Sequence, residues 1–218
     1  MLPPVYHDGG LAPVPDGIDY IWAGFVDQAP PGPCWTGELL DHQYLVNPQG
    51  FTLMIGGEWA TFRKNSRKWP KTHPTATYLR GVQDTTQSRI EVLEAWLESV
   101  DPDAEVFDSE VMTEYLLNGS HSEELWQGGQ LKAVNIWDTG PGNWLVYRYC
   151  IARPEPFLSD YARLLFYLGH RVGRAGEDYR VNDGGDLGRP GLAEYKRRMN
   201  PYHIGVVNTW KRNSKEAQ

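Results

Sequence analysis

The chain of 218 residues is poor in cysteine: Cys34 and Cys150 are the only two, with no CxxC and no pair at zinc spacing. That excludes a disulfide framework and a cysteine-held zinc. It suits two free core thiols better than a bridge. Long apolar runs are missing too. No stretch approaches the roughly 18 apolar residues that a membrane helix needs. No charged segment followed by an apolar one opens the chain as a signal peptide would. The expectation is a soluble chain made in the cytoplasm, with no membrane partner, that could still be incorporated into a particle released by lysis. No G-x-S-x-G, no GK[ST] and no readable Cys–His pairing occurs, so none of these signatures carries a function.

One sign of charge is missing from whole stretches. Residues 1–62 hold seven acids and no Lys or Arg, whereas residues 63–80 hold six bases and no acid. Residues 81–127 hold twelve acids against Arg89, and residues 128–218 hold fourteen bases against nine acids, leaving a net −7 overall. Blocks of this kind make a polar surface field, which speaks to partners rather than to fold.

Gly 23 and Pro 16 together exceed the roughly 12% of average proteins without reaching low complexity, so many turns are expected. Residues 1–17, with four Pro and three Gly, read as an extended arm, and residues 18–218 as one domain. Ile18–Val26 reads as a strand and Gln28–Gly37 as a loop. Phe51–Ile55 and Glu58–Phe62 flank Gly56-Gly57 as a hairpin, with the basic run leaving its second strand. Helices are expected at Ser88–Val100, with Ile90, Leu93, Leu97 and Val100 on one face, and at Ser109–Leu117. Leu131–Trp137 and Trp144–Ile151 form a second hairpin. Phe157–Leu168 is a helix with Phe157, Tyr161, Leu164, Leu165 and Leu168 on its stripe. Asp183–Gly191 reads as a Gly-rich surface loop, Leu192–Met199 as a short helix and His203–Trp210 as a last strand. The order argues for an α+β fold: a mainly antiparallel sheet built from hairpins, packed with three to four helices, plus the extended N-terminal arm.

Two groups of residues stand out. Arg63, Lys64, Arg67, Lys68 and Lys71, with Trp69, form a basic and aromatic patch. Exposed Trp beside Arg is the material of interface hot spots, and Trp35 and Tyr6 join the patch as candidate partner contacts. Protein neighbours in an assembly are the favoured partners. Nucleic acid is less favoured because the rest of the chain is acidic. Separately, His121 and Glu123 with His170 could hold a metal, and Arg171 follows directly. Two His and a carboxylate around Fe(II), with an Arg for a co-substrate carboxylate, would resemble a 2-oxoglutarate-dependent oxygenase. The plainer reading of His170 is a favourable interaction with a helix C-terminus. The leading expectation is a non-catalytic structural or assembly protein, of the virion-component kind, that docks through charge-segregated surfaces. A small metal enzyme and an inhibitor of a basic target are the alternatives.

Overall fold

The computed structural model describes residues 20–24, 35–81, 85–100, 109–118, 121–140, 143–172 and 178–212. The arm at residues 1–17, Tyr6 and Cys34 lie outside them.

The fold is α+β. The strands are β1 (Tyr20–Gly24), β2 (Trp35–Val46), β3 (Thr77–Arg80), β4 (His121–Gln127), β5 (Gln130–Thr139), β6 (Trp144–Ala152), β7 (Arg180–Gly185) and β8 (His203–Arg212). They form one eight-stranded sheet in the order β1-β8-β2-β7-β6-β5-β4-β3. Every described pairing is antiparallel except β6 with β7. The helices are α1 (Gly50–Leu53), α2 (Ala60–Ser66), α3 (Trp69–Thr72), α4 (Thr86–Leu97), α5 (Ser109–Asn118), α6 (Leu158–Gly169) and α7 (Pro190–Arg197). The four longest, α4 to α7, match the four expected helices.

Each face of the sheet carries its own helical layer. On one face Val92, Leu93, Met112 and Leu116 of α4 and α5 pack on Leu131, Val134, Ile136 and Ile151. On the other, α6 packs with α1, α2 and α3 around Phe51, Trp59, Phe62, Phe166 and Tyr167, continuing to Trp69, Ala133 and Ala152. Burying an aromatic of this size contributes about 1.5–3 kcal/mol of transfer free energy, so the aromatic-rich α6 layer carries much of the core.

Neighbouring glutamates on β4 serve both layers, because successive strand residues point to opposite faces. Glu124 meets Arg89 Nε at 2.7 Å on the α4 side, and Glu123 meets His170 Nε2 at 2.9 Å on the α6 side. Arg89 also donates to the Leu116 carbonyl at 2.9 Å, satisfying an orphan acceptor near the end of α5. A buried carboxylate is tolerable only with such partners.

Several expectations need correction. The Gly56-Gly57 hairpin is absent: its flanks are α1 and α2, since Phe51, Met54, Trp59 and Phe62 bury together at helical rather than alternating spacing. A Gly-Gly hairpin does exist at Gly128-Gly129 between β4 and β5, with φ of 58° and 77° as a primed turn requires. The buried residues of α6 are Leu158, Asp160, Ala162, Arg163, Leu164, Phe166 and Tyr167; of the expected stripe Leu164 is buried, while Phe157, Tyr161, Leu165 and Leu168 pack only partly buried at its edge. The buried face of α4 is Arg89, Val92 and Leu93, and Leu97 is exposed. In both helices an arginine occupies a core position that an apolar count passes over.

Candidate functional site

The parallel pair β6 and β7 is joined through α6, and its ladder is short. Trp144 pairs with Arg180, Leu145 with Val181 and Val146 with Asn182, and there the described pairing stops. Beyond that point β6 stays on β5, and β7 stays on β2 through Gln43 and Gly185. The strands therefore part where Tyr147 and Asp183 would have been next in register. A cleft between the carboxyl ends of parallel strands is where open α/β sheets receive ligands.

The parting is written into local residues. Gly184 adopts φ of 72°, and its amide donates to Asn182 Oδ1 at 2.9 Å rather than across to β6. The Lys196 ammonium, delivered by α7, donates to the Asp183 carbonyl. Both backbone groups thus leave the ladder already satisfied, which removes the cost of an open strand edge.

Buried side chains fill the space beyond the last β6/β7 pair. Arg163 of α6 donates Nη1 to both Asp183 oxygens, at 2.6 and 2.8 Å, and lies over the Tyr147 ring at 4.7 Å. The Tyr167 hydroxyl donates to Asp183 at 2.7 Å, and Lys196 Nζ lies 3.5 Å from Asp183 Oδ2. Two cations thus converge on one carboxylate. Burial pushes the Lys196 ammonium down, opposed by Asp183. Burial pushes the Tyr147 and Tyr167 phenols well up, so both stay protonated donors. It also pushes the Cys150 thiol up, which leaves little reactive thiolate.

From Tyr147 a hydrogen-bonded chain crosses the sheet. Its hydroxyl donates to Asn135 Oδ1, Asn135 Nδ2 donates to the Tyr78 hydroxyl at 2.9 Å, and Tyr78 donates to Glu123. Arg80 Nε closes the chain on Glu123 at 2.6 Å.

The expected metal residues are only partly brought together. Glu123 and His170 meet, but the Glu123 carboxylate is engaged by Arg80, Tyr78 and His170. His121 instead stacks on Trp137 at 4.2 Å. The three do not form a ligand set; among the described residues that geometry belongs to Asp41, His42 and Asp186. Nor is the scaffold a double-stranded β-helix.

The basic patch is also placed differently from its expectation. Arg63 and Lys64 lie in α2, Arg67 and Lys68 between the helices, and Lys71 in α3, so the run belongs to two short helices rather than to the exit of a strand. Trp69 is buried at 3% exposure, with Nε1 donating to Glu155 at 2.9 Å, so it offers no surface to a partner. Arg63 donates to the Met54 carbonyl, and Lys68 Nζ sits 3.9 Å over the Phe157 ring. Lys64, Arg67 and Lys71 remain exposed. Trp35 begins β2 rather than ending a loop.

Arg163, Asp183 and Lys196 were not singled out in the sequence, where a charged residue reads as exposed. Arg163 had one signal: it stands three and four residues before Phe166 and Tyr167 on an apolar helix. Asp183 was assigned to the Gly-rich surface loop, but it is a buried β7 residue at 2% exposure.

No family model matches this chain, and no curated protein does. Solved structures do share the fold. A conserved protein of unknown function from Bacteroides thetaiotaomicron superposes with a TM-score of 0.69 at 16% identity, over 82% of this chain and 62% of that one. L-PGS from Bacillus licheniformis gives 0.60 at 13% identity, over 84% and 63%. The C-terminal domain (DUF2156) of a protein designated a lysylphosphatidylglycerol synthetase from Agrobacterium fabrum gives 0.56 at 15%, over 83% and 62%. The chain thus spans about three fifths of the length of each. At these identities the likeness is one of fold.

That likeness corrects the expectation of a non-catalytic assembly protein or virion component. The architecture is one that a named synthetase uses, and nothing in the fold supports incorporation into a particle. No described helix is long and apolar enough to cross a membrane.

Proposed function

We propose that this chain is a group-transfer enzyme, moving an acyl or aminoacyl group from an activated ester or thioester to a nucleophilic acceptor in the β6/β7 cleft. The observation that carries the reading is the parting of the parallel strands over a buried Arg163–Asp183–Lys196 cluster. The name of the Agrobacterium protein, a synthetase of a lysyl lipid, supplies the reaction class.

Acyl transfer needs a positioned carbonyl and donors for the oxyanion that develops on it, while the ester or thioester bond breaks and the acceptor's proton leaves with the departing alcohol or thiol. Two cations against one carboxylate give the cleft root a positive bias suited to the first two demands. The Tyr147 and Tyr167 hydroxyls stay protonated and hold Asn135 and the Asp183 carboxylate in place.

The test is to incubate the protein with aminoacyl-ester and acyl-thioester donors and a mixed pool of hydroxyl and amine acceptors, and to follow products by mass spectrometry. A transferred acyl group is expected, and Lys196→Met, checked for folding, should lower the rate at least tenfold. Absence of donor consumption across the panel would overturn the proposal.

A further inference from the structure

A second constellation lies beside the cleft. Asp41 and His42 sit in β2 where the ladders to β8 and β7 are both interrupted, between Leu39 and Asp41 and between Gln43 and Leu45. Asp186 directly follows β7, so it stands at the carboxyl end of the strand that borders the cleft. Irregular strand positions of this kind re-aim side chains. Here they aim three: a ligand-type atom from each of Asp41, His42 and Asp186 lies within 4.8 Å of the others.

The carboxylates are held by neutral partners. Asp41 Oδ1 accepts the backbone amides of His42, Asp186 and Leu187 at 2.7, 3.0 and 2.9 Å. Asp186 Oδ1 accepts the Gly188 amide at 2.9 Å, and Oδ2 accepts the Tyr44 hydroxyl at 2.6 Å. Neither carboxylate forms an ion pair with a described Lys or Arg, and Lys196 is committed to Asp183. Asp186 is at 3% exposure, where a carboxylate needs a partner for its charge. Gly185 makes room for the arrangement, because a Cβ there would collide with the Asp41 carboxylate.

Separations fit an ion. His42 Nδ1 lies 3.5 Å from Asp186 Oδ2. A metal bonded to each at about 2.0–2.2 Å spans up to roughly 4.3 Å, so it would sit between them at a bent angle without displacing either. The His42 side chain is 42% exposed, which provides an entry path from solvent.

We propose that Asp41, His42 and Asp186 form a divalent-cation site at the mouth of the β6/β7 cleft. One imidazole with two carboxylates suits Mn²⁺ or Zn²⁺ better than Ca²⁺, and three protein ligands leave positions open for water or a ligand oxygen. The site does not depend on the transfer reading.

The test is calorimetric titration of the full chain with Mn²⁺ and with Zn²⁺, for wild type, His42→Ala and Asp186→Asn, with circular dichroism confirming the fold. His42 is half-exposed, so its variant tests the site even where Asp186→Asn destabilises. One equivalent of bound ion is expected, weakened at least tenfold in His42→Ala. No binding at millimolar ion, or binding undiminished in His42→Ala, overturns the site; the latter would place the ion on other carboxylates of this acidic chain. Ion binding without any transfer activity would leave the site standing and count against the transfer reading alone.

Discussion

Asp183 shows how much one residue can organise. Its carboxylate takes Arg163 through both oxygens and Tyr167 through one, while its carbonyl takes Lys196. All four side chains are buried or nearly so, and their charges are worth having only together. Removing the guanidinium alone leaves the buried Asp183 carboxylate with only Lys196, at 3.5 Å, as a cation. Arg163→Met should therefore cost about 3–5 kcal/mol in urea unfolding. Asp183→Leu added to it would strand the Lys196 ammonium, so only the triple change Arg163→Met, Asp183→Leu, Lys196→Met, which removes all three charges, should recover part of that loss. A single variant within about 1 kcal/mol of wild type, the range of an exposed pair, would show that the cluster is solvated and the cleft root wet.

At the scale of elements, Trp69 fixes the short helices against the sheet. It is buried between α3 and α6, stacks on His73 at 4.1 Å and on Tyr161 at 5.5 Å, and donates to Glu155. Trp69→Ala should cost about 3–5 kcal/mol, and Trp69→Phe distinctly less because it keeps most of the ring contact. If alanine cost no more than a surface change, the basic run would be loosely attached after all. This element also shows what the sequence conceals. Strands with alternating or continuous apolar residues, such as β5 and β6, were legible, and so were the four helices with clear ends. β4 was not: HSEELWQ looks polar because its two glutamates are buried by partners on opposite faces, and partners are not visible in a linear chain. The Gly-Gly pairs at 56–57 and 128–129 are equal as local signals, and only packing of the flanks separates helix from hairpin. The cleft was illegible for the same reason. It depends on where the β6 and β7 ladder stops, which Asn182, Gly184 and Lys196 decide together from two elements.

For the molecule as a whole, the sheet is a shared wall. Val134 and Ile136 of β5 and Ile151 of β6 serve the α4/α5 layer, while Ala133 and Ala152 serve the α6 layer. Neither layer can lose its packing without exposing the strands that support the other. The polar chain from Arg80 through Glu123, Tyr78 and Asn135 to Tyr147 ties four strands together beneath α6. Cooperative unfolding follows from this coupling rather than from size. Tryptophans report on the layers separately: Trp59 and Trp69 lie on the α6 side, Trp96 and Trp126 on the α4 side. In urea, variants that retain only the tryptophans of one layer should show the same midpoint by fluorescence as far-ultraviolet dichroism gives, whichever layer is probed. Separate midpoints would mean that one helical layer melts while the sheet survives. That would place the cleft, built on α6 and α7, in a unit whose stability is set apart from the rest.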